Sequence, residues 1–170
     1  NMCANGTYDA EFVQALIEKR VEIRVERCDL ITVPNLSSAE LVARAKEKFN
    51  FIRLAGEYAI YDFVTDEGGK TYEVMVWTPR RKVSTDEVRK YFPTGFTGNT
   101  AAFVAWITEK DPDGYNASIP SDDSRLVPRG GSLCAPNFCH GDGARRGLGL
   151  CGVRSEWAAC WSFVAFREVQ

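Results

Sequence analysis

Apolar residues recur along this chain with two periods. In "YDAEFVQALIEKR", Phe12, Val13, Leu16 and Ile17 fall at helical spacing, with Asp9 near the start and Lys19-Arg20 near the end. That pattern predicts a helix over 9–20, with charges placed as the helix dipole favours. "VEIRVER" then alternates Val21, Ile23 and Val25 against charged residues, which predicts a strand with one buried face. "SSAELVARAKEKF" opens on Ser37 with Glu40 three positions later, the spacing of a capping box. Leu41, Val42, Ala45 and Phe49 supply the apolar stripe of a second helix over 37–49.

Two β-rich runs in "EYAIYDFVTDEGGKTYEVMVWTP" flank Asp66-Glu67-Gly68-Gly69 and predict a hairpin that ends at Pro79. Ser84 and Glu87 repeat the capping-box spacing ahead of a short helix ending near Phe92. The apolar run "TAAFVAWIT" reads as a further strand. Residues 109–133 lose periodicity and fill with Asp, Pro, Gly and Ser, as a long surface loop does. Beyond it, "RRGLGLCGV" and "EWAACWSFVAF" read as two strands joined at Arg154-Ser155. A tail this short cannot bury a core alone. The expected organisation is therefore one α+β domain, a twisted antiparallel sheet with two or three helices packed on it. Residues 1–108 form its main part, 109–133 an acidic loop, and 134–170 the strands that complete the same sheet.

The 170 residues suit one domain, and 45% hydrophobic with 26% charged residues is an ordinary globular balance. No apolar run approaches the roughly 18 residues of a membrane span. A formal charge of -2 argues against a general nucleic-acid binder, which carries a basic excess.

Cysteine usage changes the picture. Cys3, Cys28, Cys134, Cys139, Cys151 and Cys160 are six in number, without a second ligand pair at metal-like spacing, and His140 is the one histidine. Disulfides are the favoured reading, among 15 arrangements, and they imply an oxidising, extracellular setting. The sequons Asn5-Gly6-Thr7 and Asn116-Ala117-Ser118 suit secretion too, with Asn5 and Asn116 as candidate glycosylation sites. No metal or cofactor motif stands out.

Candidate chemistry begins with Glu73, on the "TYEVMVW" strand, where alternation puts it on the face of Met75 and Trp77. A carboxylate beside aromatics suits general-base work; a solvent-facing strand residue paired across the hairpin looks the same. His140 is the one candidate imidazole, or an exposed loop residue. Arg80-Arg81-Lys82 after one strand and Arg145-Arg146 before another are expected at one end of the sheet, either gripping phosphate or lying in solvated turns. "GDGARRG" lacks the Lys-Ser/Thr ending of a nucleotide loop. Trp77, Trp106, Trp157, Trp161, Tyr58, Tyr61 and Tyr72 lie mostly on expected strands, as either a core or a base-stacking platform requires.

Leu126-Val127-Pro128-Arg129-Gly130 resembles the thrombin recognition site that engineers install, with the cut after Arg129, and Gly130-Gly131-Ser132 continues it like an inserted linker. Cys3, Tyr8 and Val13 in "CANGTYDAEFVQALIEKR" resemble the amino-terminal signature of small fungal guanyl-specific ribonucleases and the ribonuclease-like effectors of plant-pathogenic fungi. That resemblance implies a helix on a twisted antiparallel sheet, and a catalytic glutamate at Glu73. The family's paired histidines are unmatched: Tyr58-Ala59-Ile60 stands in place of one, and none follows His140. The likeness thus implies an inactive scaffold used for recognition. "KTYEVMVWTPR" resembles a strand of the cystatin family of cysteine-protease inhibitors, whose Gln-x-Val-x-Gly loop is absent. The expected function is that of a secreted, monomeric effector-type protein that recognises a host protein. The alternatives are a ribonuclease-like hydrolase using Glu73, His140 and Arg80 or Arg145, and a cystatin-like inhibitor whose wedge lies near Glu67-Gly68-Gly69 or Pro79.

Overall fold

A computed structural model describes residues 10–23, 29–51, 64–90, 94–110, 116–119, 127–129, 132–140, 146–152 and 156–170. Helix α1 spans Ala10–Ile17 and leads into β1, Val21–Ile23. Strand β2, Asp29–Thr32, precedes α2, Ser38–Lys48, and β3, Asn50–Phe51. The long β4, Thr71–Pro79, is followed by β5, Val83–Ser84, then by α3, Thr85–Lys90, and α4, Thr100–Lys110. The rest is strand: β6, Asn116–Ser118; β7, Val127–Arg129; β8, Ser132–His140; β9, Arg146–Gly152; β10, Glu156–Trp157; and β11, Trp161–Glu168.

Nine strands form one sheet in the order β1-β4-β11-β6-β8-β9-β3, with β2 also on β4 and β7 also on β8; β5 and β10 make a separate pair. The fold is α+β. The sheet is mixed rather than wholly antiparallel, because β6 runs parallel to β11 and β3 parallel to β9.

Both capping boxes form where their spacing predicts. Ser37 accepts from the Glu40 amide while Glu40 accepts from the Ser37 amide, and Ser84 and Glu87 do the same ahead of α3. Helix α1 ends at Ile17, so Lys19 and Arg20 lie past its last turn, in the cap.

Three expectations fail. "TAAFVAWIT" is the helix α4, the fourth helix, buried from Thr100 to Thr108. An apolar run without period serves a helix enclosed on all sides as well as a strand, and Asn99 decides the matter. Its side chain accepts from the Ala102 amide at 2.9 Å, capping the helix. Nor is β4 the second arm of a hairpin. Its two edges are taken by β1 and β2 on one side and by β11 on the other. The arm expected before Val64 lies outside the described residues. Strands β6 and β7 also fall inside the stretch 109–133 that reads as a loop.

Alternation along β4 and β11 splits the core in two. Tyr72, Val74 and Val76 with Val164 and Phe166 face α2 and α4, in one cluster with Leu41, Val42, Phe103 and Phe138. Trp77 and Phe163 face the opposite way, toward Ala15 of α1, Val88 of α3 and Trp157. Burying a large side chain on either face is worth roughly 1.5–3 kcal/mol.

Candidate functional site

Glu73 lies opposite Arg167 in the β4–β11 ladder. The Arg167 Nε donates to Glu73 Oε2 at 2.7 Å, and its Nη2 reaches the same oxygen. The guanidinium also stacks 4.8 Å from the centre of the Phe96 ring. Glu73 is thus a cross-strand partner, half-buried, with its carboxylate already engaged by a cation. Leu30 of β2 lies opposite it on the other side and is 56% exposed.

His140 ends β8 and pairs with Arg146 at the start of β9. Phe138 is level with Ala117 and Ala117 with Ser162, so extending the ladder puts His140 level with position 160, just before β11, whereas Glu73 is level with Arg167. Seven positions along the strands and three strand spacings across the sheet separate them. At ~3.3 Å per residue and ~4.8 Å per strand, their backbones are about 27 Å apart. The general base and the imidazole of the hydrolase reading do not come together.

Arg80 follows β4 at the His140 end, exposed, and its amide donates to the Arg20 carbonyl at 2.9 Å. Arg146 is at that same end, four strands across. At ~4.8 Å per strand their backbones are about 19 Å apart. Arg81 is engaged with Glu87. Arg145 lies outside the described residues.

The remaining candidates separate in the same way. Cys3, Cys28, Asn5 and Gly130 lie outside the described residues. In the β8–β9 ladder Cys134 is opposite Gly152, Cys139 opposite Gly147 and Cys151 opposite Ala135. Cys160, in the turn before β11, is exposed and unbridged. In the second sequon Asn116 opens β6, between β11 and β8, and Ser118 is fully buried with its hydroxyl donating to the Pro136 carbonyl at 3.1 Å. Arg129 ends β7 opposite Ser132. Among the described residues no group of three His, Cys, Asp or Glu side chains can hold a metal ion, and no helix is long and apolar enough to cross a membrane.

The described aromatic candidates are core, not a platform, while Tyr58 and Tyr61 lie outside the described residues. Trp77, Trp106 and Trp157 are buried, and Trp157 packs edge-on against Trp161 and Phe163 with ring centres 5.3 and 5.4 Å away. The turn offered as an inhibitor wedge is likewise built into the fold. Glu67 accepts from Tyr72 Oη at 2.8 Å and Thr65 Oγ1 at 2.9 Å, and pairs with Lys70 at 2.7 Å. Burial pushes its carboxyl up, but those three partners outweigh it and hold it below the ordinary glutamate value. Tyr72 is pushed up, first by burial and then by its bond to Glu67. Asn99 Nδ2 donates to Tyr72 Oη at 3.3 Å, so this network ties the turn to the start of α4. A side chain at Gly68 would meet the Asn35 side chain at 2.9 Å. Pro79, the other wedge candidate, is buried.

Sequence reasoning finds Glu73 and misses its partner. The signal was present in "FVAFRE", where alternation puts Arg167 on the face of Phe163 and Ala165. No family model, curated protein or solved structure matches this chain.

Proposed function

We propose that this chain is a secreted, effector-type protein, stabilised by disulfides, that acts by recognising a host protein without catalysing a reaction. The observation that carries the preference over hydrolysis is the ion pair of Glu73 with Arg167, about 27 Å from the His140 backbone. A ribonuclease needs its base and acid within hydrogen-bond reach of one phosphodiester. Recognition needs only a stable scaffold with exposed loops and edges.

Incubating the purified protein and its Glu73→Gln variant with RNA separates the readings. Background-level cleavage by both is expected. Cleavage by the wild-type chain that disappears in the variant would sink the recognition reading. Mass-spectrometric mapping of Cys3, Cys28, Cys134, Cys139 and Cys151 tests the secretory part: all five free in protein from an oxidising compartment would remove its basis.

A further inference from the structure

Between α2 and α4 the surface opens into a cavity of about 320 Å³, at the small end of the range for ligand sites. Pro34, Leu41 and Ala105 give it apolar walls, and Arg44 and Glu47 bring opposite charges to it from α2. Three residues apart on a helix, opposite charges are close enough to pair with each other. Here neither has an ion-pair partner among the described residues. Lys48 is different, for its Nζ donates to the Thr108 carbonyl at 2.6 Å and so satisfies the carbonyl end of α4. Glu109, also at the rim, is paired with Lys110 at 3.3 Å. One cation and one anion are left lining the same cavity, beside Pro34, Leu41 and Ala105.

We propose that this cavity binds a small zwitterion with an apolar side chain, an aliphatic α-amino acid. Its carboxylate pairs with Arg44, its ammonium with Glu47, and its side chain lies over Leu41 and Ala105. A simple anion would satisfy Arg44 and leave Glu47 repelling it; a simple cation would do the reverse. A ligand carrying both charges satisfies both and keeps the rim neutral. This inference is independent of whether the chain recognises a host protein.

Backbone amide NMR titrations of the folded chain with L-leucine, isovalerate and isoamylamine test it, since the last two each lack one charge. Saturable shifts at Leu41 and Ala105 are expected with leucine near about 1 mM, and binding at least about tenfold weaker with either analogue. Arg44→Gln and Glu47→Gln, both at exposed positions, should each weaken leucine binding about tenfold. Absence of saturable shifts below about 20 mM leucine, equal response to all three compounds, or unchanged binding by either variant would each overturn the proposal.

Discussion

Lys19 occupies the left-handed position after α1, with φ of 55°. The Arg20 amide bonds to the Ala15 carbonyl at 2.9 Å and the Lys19 amide to that of Leu16 at 3.0 Å, the pair of bonds that closes a helix most readily around glycine. A residue with a Cβ is strained there by roughly 1–2 kcal/mol, partly offset by the greater freedom glycine has when unfolded. Lys19→Gly should therefore raise stability by about 0.5–1 kcal/mol in urea unfolding, and Lys19→Val should lower it. Glu67 sets an acid limit. Because its folded value is depressed, its stabilisation is full above the ordinary 4.5 and is lost as pH falls below that, toward the folded value. Unfolding midpoints of the wild-type chain should drop more steeply below pH 4.5 than those of Glu67→Gln. Parallel profiles would show that the Lys70, Tyr72 and Thr65 contacts do not hold in solution. Glu73 illustrates what single residues reveal at the sequence level. Alternation predicts its face, but the partner that fixes its chemistry is 94 positions away and is brought beside it only by strand pairing.

Elements that announce their own ends were legible. Helices α2 and α3 begin at Ser37 and Ser84 because each serine and the glutamate three places on satisfy each other's amides locally. Helix α4 was not, since "TAAFVAWIT" is apolar throughout and the periodicity that distinguishes helix from strand is lost when every face is buried. The readable clue was Asn99 before an alanine-bearing run ending in Glu109-Lys110, an N-cap followed by a helix-length segment. The β4 hairpin failed for the opposite reason. Its turn is real, with Gly69 at φ 80° and the Lys70 amide bonded to the Glu67 carbonyl at 3.1 Å, but the edge beside it belongs to β2. Turn chemistry fixes a reversal and leaves the partner strand to long-range packing. If α4 is the inner helix of the larger core, Phe103→Ala should cost about 3–5 kcal/mol by chemical denaturation. A loss under about 1 kcal/mol would place that side chain at the surface, where a strand or a peripheral helix would hold it.

At the scale of the molecule, the sheet joins chain segments from both sides of Arg129. Strand β11 lies between β4 and β6, pairing antiparallel from Phe163 to Glu168 with one and parallel from Trp161 to Phe163 with the other. Its side chains enter both cores, Phe166 beside Tyr72 and Phe163 beside Trp77. Strands β8 and β9 add pairing to β6 and β3, and Trp157 adds its indole bond to Thr85 Oγ1 at 3.1 Å. A cut after Arg129 would break one peptide bond just past β7 and sever no ladder between these segments, the short β7–β8 ladder from Val127 to Arg129 included. Burial of Phe163, Val164 and Phe166 alone, at roughly 1.5–3 kcal/mol for each large side chain, opposes release of the carboxy-terminal piece. Thrombin also needs an extended, unpaired substrate, so pairing of Arg129 with Ser132 should slow the cut relative to a free peptide of the same sequence. The nicked protein should elute from a sizing column as one species under native conditions, with reductant present as well as absent, and separate only in denaturant. Two native peaks after complete cleavage would mean that β11 does not belong to the sheet of β4, and that the chain is two units joined at the cut.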